Sequence, residues 1–190
     1  MYILSGIAAL AIIAFVGMII TSRKRGNNMK KIISILLILV VVFALVGCGK
    51  KGLDKDFKMI GDKVAETDAD FSNYKEILSD YKGAEYITDM EDHPTESMKY
   101  AVTPSIKIGD YFCRAFLGNG TDMNFLSIHF YPEDNDLTIN ELERNIMLDL
   151  EMAYPLLKGY DAVTDGEIRI TATRPKDPDR VVVGFIKYFD

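Results

Sequence analysis

Tryptophan is absent from the 190 residues, and cysteine and histidine occur only twice each. His93 and His129 lie far apart in the chain, and neither sits in a spacing that matches a metal-ligand pattern. Cys48 and Cys113 allow at most one disulfide. No phosphate-cradling glycine loop, low-complexity tract or paired nucleophile and base stands out. Basic residues are scarce beyond Cys48, where all 28 acidic residues fall but only 17 of the 22 basic ones, a net charge of −11. So acidic a surface favours solubility and argues against binding nucleic acid or anionic lipid through a basic patch. The lack of tryptophan, beside many Ile, Lys, Asn, Asp and Tyr, is consistent with an AT-rich genome.

Two long apolar runs dominate the first 48 residues. The second reads MKKIISILLILVVVFALVGC from Met29 to Cys48. Lys30 and Lys31 form a basic head, Ile32 to Ala44 is uncharged and apolar, and Gly49-Lys50-Lys51-Gly52 turns abruptly polar. That order is the pattern of a secretory signal. With Leu45-Val46-Gly47-Cys48 at its end, the segment resembles the signal peptide of bacterial lipoproteins, matching the four-residue lipobox at every position. The resemblance covers this segment alone. It implies cleavage after Gly47 and a thioether-linked diacylglycerol on Cys48, which leaves Cys113 without a disulfide partner. Two acyl chains hold a protein to a membrane far more firmly than one.

The first run, Ile3 to Ile20, is long enough to be read as a membrane-spanning helix. Either Met29 is the natural start and residues 1–28 are upstream sequence, or the chain makes an uncleaved two-helix membrane hairpin. Arg23, Lys24, Arg25, Lys30 and Lys31 all lie between the runs. Basic loops stay cytoplasmic, so both readings place the chain beyond Cys48 outside the cytoplasm.

Four segments result: an N-terminal hydrophobic extension (1–28), a signal peptide (29–47), the lipidated cysteine and polar tether (48–56), and a folded domain (57–190). From Phe57 to Tyr81, Phe57, Ile60, Val64, Thr67, Phe71, Tyr74, Leu78 and Tyr81 step by three and four, one face of an amphipathic helix. Asp68-Ala69-Asp70 offers a break into two consecutive helices. A second helix is expected from Thr138 to Lys158, opened by a Thr138/Glu141 capping box and closed near Pro155 and Gly159. Strands are expected at Tyr86–Thr88, Lys99–Val102, Tyr111–Leu117, Asn124–Tyr131, Glu167–Thr173 and Val181–Phe189. The last is apolar on both faces and is therefore expected in the middle of the sheet. Cys113 shares a face with Tyr111, Ala115 and Leu117 and should point inward. The order of elements implies an α+β domain, an antiparallel sheet of about four to six strands packed by two amphipathic helices.

Candidate chemistry is thin. Carboxylates surround His93, but His93-Pro94 reads as a turn. His129 could act as a general base beside Tyr131, although no nucleophile is paired with it. Pro132 to Asp136 has a superficial calcium-loop look but lacks the required glycine and twelfth-position acid. No metal site, no catalytic residue and no cofactor other than the diacylglycerol on Cys48 is expected. The expectation is a lipid-anchored, extracytoplasmic module that interacts with a protein partner in the envelope. The alternatives are a small lipid-anchored hydrolase built on His129 or His93, and a small-ligand receptor with a cavity between helix and sheet. A flat apolar or aromatic exposed patch would favour the first reading, and a sealed apolar core would oppose the last.

Overall fold

The computed structural model describes residues 52–175 and 179–189. Cys48, the lipobox and both apolar runs lie outside the described residues. Among those described, no helix is long and apolar enough to cross a membrane.

Helix α1 (Asp54–Ala65) begins earlier than its periodicity suggests, and the tether is correspondingly shorter. Leu53 is fully buried, and its N–H donates to the Asp149 carboxylate at 2.9 Å. The expected run to Tyr81 breaks after Ala65. Turns carry the chain through Phe71, whose φ of 53° no helix tolerates, into the short α2 (Tyr74–Ile77). Val64, Thr67, Phe71, Leu78 and Tyr81 are buried all the same. The apolar spacing thus marked residues that face the core, while the helix itself stops at Ala65, short of the Asp68–Asp70 stretch.

Eight strands follow among the described residues, two more than the upper expectation. They are β1 (Glu91–Asp92), β2 (Lys99–Val102), β3 (Ile106–Ile108), β4 (Tyr111–Asn119), β5 (Met123–Phe130), β6 (Ala162–Asp165), β7 (Ile168–Thr173) and β8 (Val181–Tyr188). β1, β3 and β6 are two to four residues long, too short to show an alternating pattern. The expected strand at Tyr86–Thr88 is not formed; Ala84–Tyr86 is a 3₁₀ turn, and β2 pairs instead with β1. All pairings are antiparallel, in the order β1-β2-β4-β5-β8-β7-β6, with β3 joined to the first half of β4. β8 is central as expected, flanked by β5 and β7.

One face of this sheet is closed. Ala115, Leu117, Leu126, Ile128, Phe130, Val183, Phe185, Ile168 and Ile170 project inward and are at most 2% exposed. Over them lie α1 and the long helix α4 (Ile139–Ala153), which presents Leu142, Ile146 and Leu150. Phe57 of α1 meets the edge of Phe130 and the tilted ring of Phe185, each at 6.3 Å between centroids. The Thr138–Glu141 capping box forms as expected: Thr138 Oγ1 accepts from the Glu141 N–H at 3.3 Å, and the Glu141 carboxylate accepts from the Thr138 N–H at 3.0 Å. α4 ends at Ala153, and the chain turns through the 3₁₀ segment Pro155–Leu157. Between β5 and α4, Pro132–Asn135 forms the short helix α3 and not a cation loop. Its Asn135 side chain pairs with both backbone groups of Phe112 and pins the start of β4.

The sheet's inner face ends in a polar clamp. Asn124, fully buried, donates to Thr67 Oγ1 and the Asp68 carbonyl at 3.1 and 2.6 Å. Lys187, directly opposite it on β8, donates to the Ala65 and Thr67 carbonyls at 2.6 and 2.9 Å. A cation on the last carbonyls of α1 satisfies acceptors that the helix leaves open.

Gly61 sits inside α1 because Tyr154 needs its space. The Tyr154 hydroxyl donates to the Phe57 carbonyl at 3.1 Å, and a Cβ on Gly61 would collide with that hydroxyl. Gly61→Ala should therefore destabilise by about 1 to 3 kcal/mol despite alanine's better helix propensity. Tyr154→Phe should cost about 1 kcal/mol alone, through the lost hydrogen bond, yet restore stability in the Gly61→Ala background. Denaturant unfolding of the four proteins of this cycle checks the reversal of sign.

Candidate functional site

The opposite face of the sheet has no helix over it among the described residues. Alternation along each strand places its residues. β4 turns out Phe112, Arg114, Phe116 and Gly118, and β5 turns out Met123, Phe125, Ser127 and His129. Val182, Gly184, Ile186 and Tyr188 come from β8, and Tyr100 and Val102 from β2. Phe112, Phe116 and Tyr188 remain 45%, 37% and 53% exposed, high values for aromatic side chains on central strands.

Two glycines flatten this face. Phe125, opposite Gly118, lays its ring across it, where a Cβ would collide with the ring. Gly184 lies in the row Phe116–Ser127–Gly184–Thr171, and a Cβ there would strike the Thr171 hydroxyl. The result is a shallow aromatic surface. No outward position of β4, β5, β7 or β8 carries a carboxylate, although the region beyond Cys48 has a net charge of −11. The charged groups here are cationic and lie against rings: Lys107 Nζ 5.6 Å from the Phe112 centroid, and the Arg114 guanidinium 4.5 Å from Tyr131. Arg114 also reaches Asp134 at 3.3 Å, and Arg169 is exposed on β7.

His129 sits within this face, and its partner is not the expected Tyr131. Its Nε2 lies 2.9 Å from Ser127 Oγ, and its ring packs on Phe116 at 4.8 Å. Sequence reasoning missed the Ser127–His129 pair, which the two-residue repeat of a strand could have revealed. Burial, and then the Arg180 guanidinium, hold His129 near a pKa of about 4, below its ordinary 6.5. So weak a base takes a serine proton poorly near neutral pH. His93 belongs elsewhere: its Nδ1 accepts from the Thr95 and Glu96 N–H groups at 3.3 and 3.1 Å, and its ring abuts Tyr100. It closes the β1–β2 turn, and β4 stands between β2 and the His129 strand. The structure does not bring the two histidines together.

Cys113 points into the core as its strand face implies, with burial raising the thiol pKa well above its usual value. Among the described residues no group of three or more His, Cys, Asp or Glu side chains is arranged to hold a metal ion. Between helix and sheet, Phe57, Phe130, Phe185 and Leu150 are all fully buried and fill the core. A cleft of about 620 Å³ lies instead among the turns, lined by Asp70, Asp92, Glu96, Lys99, Asn119 and Thr121. It is an open groove among the turns, lined by polar and charged side chains together with Met98.

Compared with protein-family models, curated proteins and solved structures, the chain finds no match. The features that argue for a function are therefore the chain's own.

Because the folded ring resists protonation down to about pH 4 while the unfolded one takes a proton near 6.5, His129 contributes stability that is lost as pH falls through that window. The loss should be about 1 to 2 kcal/mol, discounted for the solvent the ring still meets. Subtracting the stability profile of His129→Gln from that of the unmodified protein, pH 7 to 4, isolates it from the carboxylates.

Proposed function

We propose that this is a membrane-anchored, extracytoplasmic lipoprotein, held by a diacylglycerol on Cys48, whose open aromatic sheet face binds a protein partner in the cell envelope. The open face is the observation that carries the binding reading. Aromatic side chains left exposed together on one face are costly to keep in water and mark interaction sites. Aromatic residues and arginine are the side chains most enriched in the energetically dominant part of protein interfaces. Lys107 and Arg169, beside the rings, favour a partner whose matching surface is apolar with acidic groups, while Arg114 is already paired with Asp134. The lipobox Leu45-Val46-Gly47-Cys48 supports the anchor, and the basic residues upstream support an outward-facing domain.

The Ser127–His129 pair is the one feature that favours a hydrolytic alternative. Its depressed pKa and position on a shallow face make it the weaker reading.

A photoreactive phenylalanine in place of Phe116, irradiated in intact cells, should give one discrete protein adduct. The same residue at exposed Asp62 on α1 should give none. Mass analysis of the purified chain should find it starting at diacylglyceryl-modified Cys48, with Cys48→Ala retained as uncleaved precursor. An unmodified chain beginning at Met1 would overturn the anchor, and absence of an adduct from Phe116 would overturn the binding face.

A further inference from the structure

We infer that the solvent side of α4 and the turns after it dock on the lipid surface to which the chain is tethered. The helix layer then faces the bilayer, and the aromatic sheet face points away from it. This rests on the anchoring at Cys48 proposed above.

The two helices that cover the sheet differ on their outer sides. α1 shows solvent the polar set Lys55, Lys58 and Asp62. α4 exposes Leu148 at 55% and Met152 at 66%, one turn apart on the same face. Leu156 at 71% and Tyr160 at 68% continue the apolar exposure through the following turns. None of the four belongs to the buried core, and single-domain stability gives no reason for them.

The point where the chain enters the domain decides the occupant. The Leu53 N–H is held by Asp149, which adjoins Leu148 and lies three residues before Met152. From Cys48 to Leu53 the backbone spans five residues, about 18 Å when fully extended. A lipid on Cys48 therefore keeps the membrane surface within reach of this ridge. The tether enters through the helix layer, so the sheet's open face lies on the other side of the domain.

The side chains fit shallow insertion. Leucine, methionine and tyrosine suit the boundary between headgroups and acyl chains, where an aromatic ring buries its body and keeps its hydroxyl wet. Arg144, one turn before Leu148, and Lys158 are exposed nearby, but so are Asp161 and, in part, Glu151. With both signs present, apolar insertion drives the contact, and charge attraction does not.

The full, lipid-bearing chain reconstituted in phosphatidylcholine–phosphatidylglycerol vesicles tests this. Cys48 is blocked by its lipid and Cys113 is buried, so a thiol-reactive fluorophore reports one introduced site at a time. A label on Met152→Cys should shift to the blue and be strongly quenched by phospholipid nitroxide-labelled on its acyl chain. A label on Arg169→Cys, on the open sheet face, should show neither effect. Adding Leu148→Glu and Leu156→Glu, both exposed and tolerable to the fold, should abolish most of the quenching at Met152→Cys. With Cys48 lipidated by mass, an unquenched Met152→Cys label or quenching equal at both sites overturns the docking while leaving the anchor intact. Shielding without lipid quenching, as a second copy or the N-terminal apolar residues would give, overturns it too. An unmodified Cys48 overturns the anchor and the docking together.

Discussion

Everything in the domain depends on the seating of α1 across β5 and β8. Phe57 closes against Phe130 and Phe185, and the far end of the helix is held by Asn124 and Lys187. Apolar burial supplies the driving force and the polar clamp supplies the register. Asn124 and Lys187 stand opposite each other at the end of an otherwise apolar strand face, where helix carbonyls need donors. A slide of α1 along the sheet would strand those buried groups without partners, a cost of several kilocalories per mole.

That seating has a consequence for the rest of the surface. An eight-stranded sheet offers two faces, and the described residues include two helices long enough to cover one of them. The second face is therefore left to solvent or to a partner. In a sheet that faces water on one side, outward positions are normally polar. Here Phe112, Phe116, Phe125, Val182, Ile186 and Tyr188 stand among the polar Arg114, Ser127, His129 and Arg169, levelled by Gly118 and Gly184. The outward positions of β4, β5, β7 and β8 carry no carboxylate. This separation of one apolar face for folding from a second for contact is the physical basis of the functional proposal. The exposed ridge on α4 extends the argument to orientation, because it lies where the tether enters.

Much of the fold was legible because periodicity reports burial faithfully. Phe57, Ile60 and Val64 on α1, Leu142, Ile146 and Leu150 on α4, and the inward faces of β4, β5 and β7 were all evident from spacing. The capping box at Thr138 was evident because its two residues are local. What stayed hidden was non-local or short. Burial of Leu53 depends on Asp149, far along the chain; the break after Ala65 depends on a left-handed Phe71; β1, β3 and β6 are too brief to alternate. The aromatic face was half legible. Val181 to Phe189 reads as apolar on both sides, which implies a central position in the sheet, and the structure places it there; that one of its faces stays open does not follow from the pattern. The Ser127–His129 contact lay in plain view two residues apart, but the depressed pKa of His129 depends on burial and on Arg180, just before β8.

The central claim is that the two faces of the sheet do different work, and denaturant unfolding of the detergent-solubilised protein tests it most directly. Phe57→Ala, on the inner face, should cost about 3 to 5 kcal/mol. The double variant Phe112→Ser/Phe116→Ser, on the outer face, should cost about 1 kcal/mol or less. Comparable losses from the two would mean that the aromatic outer face serves the fold itself, and the case for a partner-binding surface would be withdrawn.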